Sequence, residues 1–408
     1  MDTDLLRRQF AGLDGDHALF DNAGGSQILR SVIRRIGEYL EDCNVQHGAS
    51  YATSQRAVER VAEARMGMAT WINATDSSEI VFGSSSTQLL RNLAHSVGRT
   101  LAPGDEIIVT NCDHEANIGV WVELAERDIE VRFWRVDEET LALRLEELDT
   151  LMSDRTRLVA WTHASNVVGQ IHPVREFADF VRERGALSCV DGVAYAPHRA
   201  VDVRALGIDF YAMSLYKVFG PHIGMLYGRR ERLLDLPSMN HFFIPNDDLP
   251  YKMQPGGANF ELSYGLLGLW DYIETVSAHL GDEKAGNDRR AMLERVFEAF
   301  TQREAMLAEK LLGFLREKPG VRIFGPASSD PKQRVSTVSF VVDGRKSEDI
   351  VQATDAAKLA VRYGDFYAYR LIDDLGLREQ GGVVRVSMLH YNTEDEVDRL
   401  IGVLEQTL

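Results

Sequence analysis

Two segments, Ala186-Leu187-Ser188-Cys189-Val190 and Ile208-Asp209-Phe210-Tyr211-Ala212-Met213, are short apolar runs, each followed by a polar residue, Asp191 and Ser214. Runs that are apolar almost throughout suit strands covered on both faces, as in a parallel sheet. Moving outward, Glu106-Ile107-Ile108-Val109-Thr110, Ile129-Glu130-Val131-Arg132-Phe133-Trp134 and Arg157-Leu158-Val159-Ala160-Trp161 read the same way. Between them lie amphipathic stretches; in 173–184, Val174, Phe177, Ala178 and Val181 fall on one side of a helix. From about residue 80 to 228 this alternation predicts a repeated β-α-β unit, an α/β fold with a mostly parallel, doubly wound sheet.

The pattern changes after the polar stretch 281–288, which suits a connection. Met292, Val296, Phe300, Leu307, Leu311 and Leu315 form a helical stripe over 289–316, predicting one long helix or two stacked ones. Strand candidates follow at 337–342 and 383–388. The expected organisation is a large unit at 18–280 and a smaller C-terminal α+β unit at 281–408, with residues 1–17 packing on the smaller one.

Across the 408 residues, 45 Lys and Arg against 62 Asp and Glu leave a net charge of −17, a field that repels phosphate backbones and anionic lipid. Nucleic acid and membrane are therefore not expected as partners. Cys43, Cys112 and Cys189 lie far apart without a Cys-x-x-Cys pair, so neither a disulfide framework nor a zinc knuckle is indicated and a reducing cytoplasm is the default. The N-terminus lacks the apolar core of a signal peptide, and no run is long enough to span a bilayer. The 11 histidines show no metal-ligand spacing, so no metal is expected.

Ligands of doubly wound sheets collect at the carboxyl ends of the strands, and four places there carry chemistry. Gly83-Ser84-Ser85-Ser86-Thr87-Gln88 precedes a helical stretch at 89–97 and is either a phosphate cradle or a Ser-rich N-cap. His114, in Asn111-Cys112-Asp113-His114-Glu115-Ala116-Asn117, either stacks on a cofactor and moves protons or merely opens a capped helix. Asp191 is the counter-charge of a bound cation or a helix cap. Lys217, in Met213-Ser214-Leu215-Tyr216-Lys217-Val218-Phe219-Gly220-Pro221, is a Schiff-base lysine or a snorkelling one beside a tight turn.

The segments Asp113-His114-Glu115-Ala116-Asn117-Ile118, Thr162-His163-Ala164-Ser165-Asn166-Val167-Val168-Gly169, Val190-Asp191-Gly192 and Ser214-Leu215-Tyr216-Lys217 occur in that order. Together they resemble the class V aminotransferases, specifically the cysteine desulfurase-like branch. The resemblance runs from Phe20-Asp21-Asn22-Ala23-Gly24 to Tyr391-Asn392-Thr393-Glu394-Asp395-Glu396-Val397. It implies the pyridoxal 5'-phosphate (PLP)-dependent transferase fold type I, whose large domain holds a mostly parallel, seven-stranded sheet. Lys217 would hold PLP as a Schiff base, Asp191 would pair with its pyridine nitrogen, and His114 would stack over the ring. Ser86, Thr87 and Ser214 would bind the phosphate. Asn166 would lie near the ring oxygen or the substrate carboxylate, and Arg385 would clamp that carboxylate. A small amino-acid substrate and a homodimer with the cofactor near its interface are implied as well.

The departures bear on the reaction. In Val361-Arg362-Tyr363-Gly364-Asp365-Phe366-Tyr367-Ala368, Tyr367 stands where the branch carries its persulfide-forming cysteine. Tyr367 would then protonate a leaving group or pack the mouth of the site. Ala194 replaces a Gln that bonds the cofactor's phenolic oxygen, Tyr216 replaces the His before the lysine, and Tyr195 is a candidate substitute for the lost contact. Ala258 lacks the hydroxyl with which the branch reaches a neighbour's phosphate. The expected activity is a lyase that eliminates a β-substituent by C–S cleavage from cysteine or a cysteine conjugate. The alternatives are an aminotransferase or epimerase on the same scaffold, or a catalytically degenerate PLP-binding scaffold.

Overall fold

The computed structural model describes residues 2–281 and 288–408. Of the connection expected at 281–288, all but the two end residues lies outside the described residues. A short strand β1 (Ala18–Leu19) comes first. The main sheet follows: β2 (Ile80–Gly83), β3 (Glu106–Thr110), β4 (Glu130–Trp134), β5 (Thr156–Thr162), β6 (Leu187–Asp191), β7 (Phe210–Ser214) and β8 (Gly224–Gly228). Its order is β2-β8-β7-β6-β5-β3-β4, parallel from β4 through β7, with β8 and β2 antiparallel at the edge. This is the mostly parallel α/β sheet that the alternation predicts, with the seven strands that the resemblance implies.

Both faces of this sheet are buried. Val159, Trp161, Val190, Tyr211 and Met213 enter one core, while Leu158, Ala160, Cys189, Phe210 and Ala212 enter the other. The period-2 alternation explains why the strands are apolar at nearly every position. Each large side chain so buried contributes about 1.5–3 kcal/mol. The helix Val174–Glu183 covers one face with Val174, Phe177, Ala178 and Val181. β6 and β7 each extend one residue past the apolar run, so Asp191 and Ser214 are the last residues of their strands.

The helix Arg289–Arg316 is a single one of 28 residues, capped by the Asp288 side chain. Beyond it lie β9 (Val321–Phe324), β10 (Thr337–Val342), β11 (Leu359–Ala360), β12 (Arg362–Gly364) and β13 (Val383–Ser387). β12-β13-β10-β9 form an antiparallel sheet, and β11 pairs in parallel with β1. Residues 18–22, placed by the sequence at the head of the large unit, thus join the C-terminal strands, and Asp21 bridges to Ser387. The helix Thr3–Arg7, expected on the smaller unit, touches both. Arg7 bonds Glu396 at 2.9 Å, while Phe10, just after it, packs on Phe219 and Tyr272 as well as Tyr391.

In the main sheet the chain runs outward from β3 to β4, then returns to place β5 on the other side of β3. The crevice at the carboxyl ends of β3 and β5 is therefore a topological switch point, where such sheets bind ligands.

Candidate active site

Seven of the nine residues selected from sequence line one cavity at these strand ends: Ser86, Thr87, His114, Asn166, Asp191, Ser214 and Lys217. Arg385 and Tyr367 stand just outside its wall. Ala116, Thr162, Val193 and Tyr216 also line it; sequence reasoning gave them no role, although all four lie in or beside the quoted motifs.

One end is built to receive a phosphate. The helix Ser86–Gly98 starts earlier than its apolar pattern shows, because the Ser85 side chain caps it by accepting from Gln88 N at 3.1 Å. Ser86 and Thr87, in the first turn of this helix, line the cavity, and first-turn amides lack partners within their own helix. Ser86 Oγ and Ser214 Oγ are 2.7 Å apart. Gly224 makes room for this turn: a Cβ there would sit 2.3 Å from the Ser85 carbonyl carbon and 2.6 Å from Ser86 N.

At the other end, Asp191 Oδ1 accepts from Val193 N at 2.8 Å. Its second oxygen has no hydrogen bond among the described residues. Burial raises its pKa, while the Val193 amide and Lys217 act against that rise. A buried carboxylate with one free oxygen facing a cavity suits a protonated ring nitrogen. Lys217 follows β7 in the turn Leu215–Lys217 and is 6% exposed. Burial and then Arg385 lower its pKa to about 8, against the pull of Asp191 and Asp21.

His114 Nδ1 accepts from Ala116 N at 3.1 Å, so the neutral ring carries its proton on Nε2. Burial first, then Lys217 and Arg385, lower its pKa to about 4. His114 thus both caps the turn Glu115–Asn117 and lines the cavity. Tyr367 stacks on it with ring centres 5.1 Å apart and 26° between planes. Tyr367 is 66% exposed, and its hydroxyl has no hydrogen bond among the described residues. Both Phe366 and Tyr367 have positive φ, +54° and +62°. This turn is tied across the cleft by Asn166 Nδ2 donating to Phe366 O (2.8 Å) and Glu115 N donating to Tyr367 O (2.8 Å).

Arg385 is buried on β13, directly behind Asn166. It donates to Asn166 O at 3.0 Å and pairs with Asp21 Oδ1 at 2.6 Å, and the Phe366 ring lies 3.7 Å from its guanidinium carbon. Burial lowers its pKa to about 10, and Asp21 opposes this. Its Nε is buried without a hydrogen-bond partner among the described residues.

Tyr195 is not brought into the cavity. It stacks on His163 at 3.5 Å, and His163 in turn bonds Tyr211, leaving only Ala194 on the cavity wall. Tyr216 packs against His222 at 4.8 Å. Ala258 lines a separate cavity with His47, Arg65 and Gln254. The three thiols are free and buried. Burial, reinforced by nearby carboxylates, pushes Cys112 and Cys189 well above the ordinary thiol range.

A phosphate cradle, a free buried carboxylate oxygen and a desolvated lysine around one cavity fit PLP. The profile of the family described as aminotransferase class-V matches residues 18–276 and 290–400. Aminotransferase-like protein FGM3 of Gibberella zeae is 42% identical over 412 residues, spanning 99% of this chain and 98% of that one. The cysteine desulfurase-like protein ustD of Aspergillus flavus is 35% identical over 417 residues, spanning 100% and 90%. A solved cysteine desulfurase from Thermococcus onnurineus superposes with a TM-score of 0.85 at 26% identity, covering 99% of this chain and 97% of that one. With this sheet, this cavity and these relatives, the chain belongs to the class V aminotransferases, PLP-dependent enzymes of fold type I, on their cysteine desulfurase-like branch.

Proposed function

We propose that the protein is a lyase that eliminates a β-substituent, sulfur in the first instance, from cysteine or a cysteine conjugate without forming a protein persulfide. The observation that carries this reading is Tyr367, an exposed phenol at the mouth, together with three buried thiols of which none lines the cavity. A buried thiol with a raised pKa yields little thiolate to attack sulfur.

PLP supplies the electron sink for the pair left when the Cα–H bond breaks. Ser86, Thr87 and Ser214 would hold its phosphate, Asp191 would hold the ring nitrogen proton, and Lys217 would anchor the aldehyde. Asn166 on the cavity wall and Arg385 behind it would orient the substrate carboxylate; among the described residues the Arg385 Nε has no hydrogen-bond partner. Lys217 Nζ is the base that would take the α-proton; its lowered pKa makes the neutral amine accessible near neutral pH. His114, neutral with its proton on Nε2, donates to the departing sulfur, and Tyr367 packs on its ring. The reading further takes the enzyme as a homodimer working in a reducing cytoplasm. Exposed Ile33, Leu40, Val58, Met66, Phe242 and Phe243 supply apolar surface for a second copy.

The test is to incubate holoenzyme with cysteine, cystine and cysteine S-conjugates while following products. Pyruvate released together with sulfide or thiol is expected. Alanine with sulfur left on the protein, or pyridoxamine phosphate after a single turnover, contradicts the proposal.

A further inference from the structure

Asp113 closes the turn after β3, immediately before His114, and is 1% exposed. The reaction as described leaves it without a task. Both of its oxygens are occupied by donors. Oδ1 accepts from Thr110 Oγ1 (2.5 Å) and Thr162 N (3.0 Å), and Oδ2 accepts from Asn117 Nδ2 (2.6 Å). Among the described residues none of its hydrogen-bond partners is a cation.

These bonds place the carboxylate beside Asp191. Thr162 ends β5 level with Asp191 on β6, and its hydroxyl lies 3.3 Å from the Asp191 carbonyl. On the other side, Asn117 Oδ1 faces Cys189 Sγ at 4.0 Å, two residues before Asp191 on the same face of β6. Two buried carboxylates thus stand at the ends of β3 and β6, the two strands that flank β5, and of the two only Asp191 borders the cavity.

We propose that Asp113 is a positioning residue for the cofactor's ring nitrogen, its buried carboxylate adding negative potential that, through Asp191, keeps that nitrogen protonated. The inference rests on the placement of the ring against Asp191.

Three donors favour the ionised form of Asp113, whereas burial and the like charge of Asp191 favour the neutral one; the balance puts its pKa at about 7. The groups facing it are Thr110 from β3, Cys112 in its own turn, Asn117, Thr162 from β5, and Cys189 and Asp191 from β6. Both thiols are pushed up and stay neutral, so Asp191 is the charged neighbour that matters. A positive charge placed on Asp191 by the ring relieves that repulsion, so ring protonation and Asp113 ionisation support each other.

The experiment is a pH titration of holoenzyme carrying PLP labelled with ¹⁵N in the ring, read by the nitrogen chemical shift. Asp113→Asn is expected to lower the midpoint of ring deprotonation by about one pH unit. Thr110→Val keeps the carboxyl group but removes one of its donors, and is expected to shift the midpoint in the same direction by less; it carries the test if the first variant does not fold. Midpoints equal to wild type in the folded variants, even with a lower melting temperature, overturn the proposal and leave Asp113 a structural residue. Asp191→Asn is run in parallel. A midpoint unmoved there too means that the ring does not lie on Asp191, and the inference falls with the reading beneath it. If Asp191→Asn moves the midpoint and Asp113→Asn does not, the inference alone falls.

Discussion

Lys217 loses hydration in the cavity and stands near Arg385, and these two effects outweigh Asp191 and Asp21 to bring its pKa to about 8. Only the neutral amine attacks an aldehyde. The rate at which apo-protein takes up PLP, followed by absorbance, is therefore expected to rise about tenfold per pH unit below pH ~8 and level off above it. A rate that keeps climbing toward the ordinary lysine range contradicts the desolvated lysine. Around His114 two substitutions separate chemistry from packing. His114→Ala is expected to lower kcat by about 10²–10⁴-fold, the usual worth of a general acid. Tyr367→Phe, which keeps the stacked ring, is expected to stay within about threefold. Steady-state kinetics on the best substrate check both, and an equal loss in the two variants would give the Tyr367 hydroxyl the proton-transfer role. At this scale the site was legible where a single motif held both the residue and its setting, as for Lys217, Asp191 and Ser86. The pairing of Asp21 with Arg385 was not, because it joins residues at opposite ends of the chain that only folding brings together.

The cradle depends on β8 and on the turn before the Ser86–Gly98 helix lying closer than a side chain permits. Gly224→Ala would drive a methyl group to 2.6 Å from Ser86 N, where only backbone can yield. We expect a stability loss of about 1–3 kcal/mol together with faster PLP release, measured by urea unfolding and by dilution of holoenzyme; unchanged PLP release would show that this turn does not hold the phosphate. Apolar runs located the strands of the main sheet, yet they missed the last residues of β6 and β7, because Asp191 and Ser214 are polar but still paired with neighbouring strands. The start of the helix was set by the Ser85 cap, a hydrogen bond that hydrophobic periodicity does not register.

For the whole molecule, the large sheet and the C-terminal unit meet at Glu304 on the long helix Arg289–Arg316. It is 1% exposed and accepts from His198 Nδ1 at 2.7 Å and from His390 N at 3.1 Å, drawing one partner from each side. Glu304→Ala removes the buried acceptor of these donors and is expected to cost about 3 kcal/mol in urea unfolding; a loss below about 1 kcal/mol would mean that Glu304 does not hold the junction. The change in periodicity near residue 281 anticipated the helical stretch Arg289–Arg316 and the strands β10 and β13 beyond it. The joining of residues 18–22 to the C-terminal strands was not readable, since β1 has two residues and its partner β11 lies more than 300 positions away. The assignment of the molecule as an enzyme of this family comes down to a covalent bond at Lys217. Borohydride reduction of PLP-loaded protein followed by peptide mass mapping should find the reduced cofactor on the peptide containing Lys217 and nowhere else. An unmodified Lys217 peptide from fully loaded protein, or the label on another lysine, would contradict the account.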